Sequence, residues 1–121
     1  MIENFRWEKK NHYFSWSYKE NELKKEYNNK IWSVLKLSDN NGFAIVLSHE
    51  DYGRHNAFII NADGTERFRL DIPTSIKNVI RYYEIYYING ELTAIIATTG
   101  MDFACVIDPK SGHFNKIYET R

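Results

Sequence analysis

With 121 residues the chain has material for one domain built on a single core. Its 16 Lys and Arg balance 16 Asp and Glu, which excludes the strongly basic surface of a general nucleic-acid binder. Nine Tyr, seven Phe and three Trp favour pleated, half-buried sheet surfaces over helices.

Met1 to Trp7 lack the basic-then-apolar pattern of a secretory signal, and no stretch approaches 18 apolar residues. A cytoplasmic protein without membrane contact is expected. Phe5 and Trp7 are too sparse to define an element. Over 12–18, Phe14, Trp16 and Tyr18 alternate with polar neighbours, the period-two pattern of a strand. Lys19, Glu20 and Asn21 make a turn. The charged run 22–27 fits an exposed edge strand or a short helix, and the strand is favoured because lysines on an outer strand discourage edge-to-edge pairing. Together, residues 1–28 have the form of half a four-stranded unit.

Residues 29–75 read as a first full unit. A strand over 31–37 leads through Asn41-Gly42 into 43–48, which is almost wholly apolar and therefore covered on both faces. A polar loop, 49–55, precedes a strand at 57–60. Asp63-Gly64 turns the chain into a half-exposed outer strand at 66–70, and Pro73 lies in the connector, outside any ladder. Residues 76–121 repeat the plan: an aromatic strand over 79–88 carrying Tyr82, Tyr83, Tyr86 and Tyr87, the Asn89-Gly90 turn, then strands at 92–98, 103–107 and 114–118. Each Asn-Gly dipeptide predicts a type I′ hairpin with positive φ at both residues. Cys105, the only cysteine, excludes an intrachain disulfide and reads as a buried, inert thiol.

A repeat of about 48 residues with four strands per unit has the length and make-up of a propeller blade. The predicted fold is all-β: antiparallel four-stranded blade repeats, about two and a half blades in an open half-propeller, with a β-sandwich as the alternative. The text Val106-Ile107-Asp108-Pro109-Lys110-Ser111-Gly112-His113-Phe114 resembles the blades of quinoprotein-type propellers, where an apolar strand ends in Asp-Pro-x-x-Gly. Ile60-Asn61-Ala62-Asp63-Gly64 is a degenerate copy. The resemblance covers blade geometry and carries over no cofactor residues, so no cofactor is expected. Too few blades to close leave the outermost faces open. A bare apolar face of about 400 Å² would forgo about 10 kcal/mol, so a polar cap or a covering partner is required.

The densest functional text is the loop holding His49, Glu50, Asp51, Tyr52, Arg54 and His55, matched in the second unit by a shorter loop with Asp102. The spacing of the two histidines is no recognised zinc pattern, and no nucleophile or oxyanion donor is apparent nearby. Phosphate-cradling glycine loops and paired-cysteine motifs are missing too. A non-enzymatic protein without a metal is therefore expected, with these seven residues as candidates for partner binding. Glu50 and Asp51 suit a basic partner surface, and Tyr52 an anchoring contact. A small half-propeller chain rich in Asn, Lys, Ile and Tyr is similar to bacterial immunity proteins of contact-dependent growth-inhibition systems. That resemblance implies a cognate protein toxin, often a nuclease, and no direct contact with nucleic acid. The competing expectations are a scaffolding domain that forms a homodimer through open blade faces, and a small-ligand binder using the 49–55 loop.

Overall fold

The computed structural model describes residues 1–120. The fold is all-β, as the sequence predicts, and consists of three antiparallel meanders in chain order. The first sheet contains β1 (Ile2–Arg6), β2 (Tyr13–Tyr18) and β3 (Asn21–Glu26). The middle sheet contains β4 (Ser33–Lys36), β5 (Gly42–Val46), β6 (Ala57–Asn61) and β7 (Glu66–Arg69). The third contains β8 (Val79–Ile88), β9 (Glu91–Thr98), β10 (Asp102–Ile107) and β11 (Phe114–Thr120). Within each sheet every strand pairs with the next in sequence, so no crossover connection is needed. The run 22–27 is an edge strand, not a helix. β1 is a strand that the sparse apolar pattern of the N-terminus did not reveal.

The middle sheet is buried on both faces, which explains why β5 reads as an unbroken apolar run. Ala44, Val46, Ala57 and Ile59 face the third sheet and pack on Tyr82, Ile85, Ala94, Ile96 and Cys105. Their neighbours Phe43, Ile45, Phe58 and Ile60 face the first sheet. Phe43 is fully buried there, with ring centroids of Phe5, Phe14 and Trp16 at 4.9, 5.3 and 5.0 Å. Burying such a ring contributes about 2–3 kcal/mol. The Trp16 indole N–H donates to the Ala62 carbonyl at 2.7 Å, fixing the first sheet to the turn after β6. Burial pushes the Cys105 thiol up to about 12, so the thiolate needed for nucleophilic chemistry is not formed near neutral pH.

The outermost faces differ from each other. The first sheet turns Glu22, Lys24 and Glu26 outward, opposite Ser17, Ser15 and Tyr13, a polar cap of the kind a terminal repeat requires. On the third sheet the outward residues Thr93, Ile95, Ala104 and Val106 are apolar or nearly so, yet they are buried. The tyrosines of β8 and β11 cover them in place of a further sheet.

The turns depart from expectation at one point. Asn89 and Gly90 have φ of 50 and 80°, the predicted type I′ geometry. At the other Asn-Gly pair the positive φ belongs to Asn40, at 62°, and Gly42 is already the first residue of β5. Gly42 is required by proximity instead: a Cβ there would lie 2.4 Å from the Ile60 carbonyl oxygen. The hairpin joining β2 and β3 uses positive φ at two non-glycine residues, Lys19 at 51° and Glu20 at 66°, each unfavourable by about 1 kcal/mol. Replacing them together with Lys19→Asn and Glu20→Gly should stabilise the protein by about 1–2 kcal/mol in urea unfolding. No gain would show that the hairpin is not held in this geometry in solution.

Candidate functional site

Cross-sheet contacts define two ends of the stack. At one end the long connections meet. Ile31 N–H donates to the Asn11 carbonyl, Asn29 to Asp51, and Asn56 joins the 47–56 segment to Tyr82. At the other end the tight turns meet, tied by Ser38 N–H donating to the Tyr87 hydroxyl at 2.8 Å and by the Arg67 guanidinium donating to the Pro109 and Asn41 carbonyls.

The tight-turn end is occupied with its own structure. Asp39, Asp63 and Asp108 each accept the backbone N–H two residues ahead, at 2.9, 3.0 and 2.9 Å, the local bond that favours Asp in turns. Asp63 is held below the usual carboxylate range by the Thr65 hydroxyl and N–H, and Asp108 chiefly by the Lys110 N–H.

The long-connection end carries the predicted candidates. Residues 49–55 are not wholly irregular: His49–Tyr52 form one helical turn, α1. Ser48 caps it by accepting the Glu50 N–H at 3.2 Å, and Gly53, with φ of 58°, returns its N–H to the His49 carbonyl at 2.7 Å. The turn is braced from three sides. Asp51 accepts from the Asn29 amide at 2.8 Å. Arg69 donates to the His55 carbonyl at 2.8 Å and pairs with Glu66 at 3.0 Å. Its guanidinium also lies over the Tyr52 and Phe58 rings, at 5.3 and 4.6 Å. His49 packs against Trp32, with centroids 5.6 Å apart.

His49, Glu50, Asp51, Tyr52, Arg54 and His55 thus share one braced loop, in which Glu50 and Arg54 extend into solvent. Asp102 stands apart from them. It opens β10 on the third sheet and accepts from the Tyr83 hydroxyl at 2.6 Å. That bond to a carboxylate raises the Tyr83 phenol to about 12. No hydrogen bond or ion pair joins Asp102 to the 49–55 loop among the described residues. Among them, likewise, no three His, Cys, Asp or Glu side chains converge as metal ligands would.

Several residues absent from the sequence-level candidates lie at this same end. Ile80 is 37% exposed and Met101 45%, close to the 39% of the candidate Tyr52. Trp32, which packs on His49, carries the Arg81 guanidinium over its ring at 5.7 Å. Val79 is buried in the core and Ile80 next to it faces outward. A bulge between Val79 and Arg81 then breaks the alternation of β8, so that Arg81 reaches the Trp32 ring and Tyr82 returns to the core. An open cleft of about 270 Å³ lined by Arg6, Trp7, Glu8, Asn11, Tyr13 and Ser15 adjoins β1 and β2 at this end. At this end Tyr52 and Met101 are exposed on connections, and Ile80 is exposed near the start of β8.

No family model matches the chain, and no curated protein matches it. A chain in the structure of Tne2 in complex with Tni2 superposes with a TM-score of 0.69. The fold is shared. The match covers 90% of this chain and 77% of that one, at 14% sequence identity, and so speaks to architecture alone. The neighbour belongs to a two-protein complex.

Proposed function

We propose that this is a non-enzymatic, cytoplasmic binding protein that neutralises a cognate protein toxin, in the manner of bacterial contact-dependent growth-inhibition immunity proteins. The observation that carries this reading is the braced 49–55 loop, which presents exposed Tyr52 beside Glu50 and Arg54 at the end of the stack where Ile80 and Met101 are also exposed. Aromatic and apolar anchors held on ordered backbone lose little entropy on docking, which is what an inhibitory surface needs. A shared fold with a chain solved in a protein–protein complex supports it. The three sheets stand in this reading as about two and a half blades of an open half-propeller, each packed on the next. Glu50 faces a basic nuclease surface and speeds encounter, while Tyr52 and Met101 supply contact area.

The test is titration of the purified chain against the toxin domain encoded beside its gene. Tyr52→Ala and Met101→Asp should each weaken binding at least about tenfold, mainly through faster dissociation. Glu50→Lys should slow association and weaken the fall of the association rate with salt that the parent chain shows. All three side chains are exposed, so thermal stability should change by under about 1 kcal/mol. Full neutralising strength in all three variants would remove this end of the protein from the interface.

A further inference from the structure

The third sheet's outer face has no counterpart on the first sheet. Strand pairing places two cross-strand rows on it: Tyr86, Thr93, Val106 and Lys116 in one, and Glu84, Ile95, Ala104 and Tyr118 in the next. A bulge between Tyr82 and Glu84 puts two consecutive residues, Tyr83 and Glu84, opposite Ile95, so both side chains serve this face while Tyr82 and Ile85 remain in the core. The aliphatic centre is buried already, with Ile95 and Val106 each 4% exposed. What meets solvent is a layer of tyrosine, with Tyr86 and Tyr118 both 39% exposed, bordered by Glu84 at the β8 edge and Lys116 at the β11 edge.

We infer that this face binds a second copy of the same chain. A two-fold axis lying between two such faces, parallel to the strands, lays β8 of one copy over β11 of the other. The row order then sets Glu84 opposite the Tyr118 hydroxyl and Lys116 opposite the Tyr86 ring. An anion meets a hydroxyl donor and a cation meets an aromatic face. Glu84 and Lys116 of opposite copies become diagonal neighbours of unlike sign. Each contact occurs twice, as an isologous interface demands. The polar first sheet offers no such match, since Glu22, Lys24 and Glu26 line its outer strand and its central strand shows two serines. A four-stranded face about 20 Å on a side buries about 400 Å² per copy and about 800 Å² in all. That lies at the low end for a specific interface, so the dimer is weak and reversible.

The inference needs no toxin partner and is tested on the purified chain alone. Sedimentation equilibrium from about 10 to about 500 µM should show a concentration-dependent monomer–dimer equilibrium. Lys116→Glu and Glu84→Lys should each raise the dissociation constant at least about tenfold through like-charge contacts. The double reversal should recover part of the loss, because it restores the unlike diagonal pair although residue 116 no longer offers a cation to the Tyr86 ring or to Glu91, which Lys116 meets at 3.6 Å. Both residues are exposed, and an unaltered melting temperature will show that the single variants fold. A chain that stays monomeric at the highest concentration overturns the inference. So does a dimer that both single reversals leave intact, which would locate the contact on another face.

Discussion

Asn56→Ala is expected to destabilise the protein by about 3–5 kcal/mol, the largest effect of any single polar replacement. Asn56 is fully buried and its side chain is completely used. The amide nitrogen donates to the Leu47 and Tyr82 carbonyls at 2.8 and 2.6 Å, and the amide oxygen accepts the Tyr82 N–H at 2.9 Å. One short side chain therefore satisfies three backbone groups and bolts the middle sheet to the third. Removing it leaves two carbonyls and one N–H unpaired away from water, each unfavourable by about 1–3 kcal/mol. Tyr82, fully buried beside it with its hydroxyl donating to the Asp71 carbonyl, would lose its anchor. Urea unfolding measures the loss. Asn29→Ala is the control, since its bond to Asp51 is exposed and should matter by under about 1 kcal/mol. If the two variants lose equally little, water reaches the Asn56 site.

Gly42→Ala should destabilise by about 2–4 kcal/mol although it adds one methyl group. The new Cβ would meet the Ile60 carbonyl oxygen at 2.4 Å, the Arg67 guanidinium at 2.9 Å and the Leu37 side chain at 3.3 Å. The oxygen belongs to backbone paired in the β5–β6 ladder, where Phe43 sits opposite Ile60, so it cannot withdraw without parting the strands. Overpacking of this kind typically costs about 1–3 kcal/mol, and displacement of Arg67 from the Asn41 and Pro109 carbonyls adds to it. Gly90→Ala should cost only about 1 kcal/mol. Its φ is +80°, but nothing lies within 4 Å of the added atom. The order of the two losses separates a glycine kept for space from one kept for conformation. Equal losses, measured by thermal or urea unfolding, would mean that β5 and β6 can part at little expense.

What the sequence determined by itself is the part of the structure written in local patterns. Phe14, Trp16 and Tyr18 alternate because β2 has one covered face, and 43–47 does not alternate because β5 has two. Asn89-Gly90 predicts its turn since positive φ at adjacent residues is a property of those two residues alone. The fold class and the four-stranded sheets follow from such signals, as does the polar loop at 49–55. Its helical turn was less legible, because it is too short to show a period. Tertiary structure decided everything that depends on residues far apart in the chain. Gly42 faces the Ile60 carbonyl, Asn56 bridges to Tyr82, and Trp32 brings His49 and Arg81 to one end. Asp102 reads as a companion of the 49–55 loop in the repeat, but the structure leaves it on another sheet, bonded to Tyr83. The bulges of β8 likewise belong to strand pairing, and they choose which tyrosines enter the core and which cover the outer face. A period-two pattern says that a side chain has a face. Only the packing of one sheet on another says what that face meets.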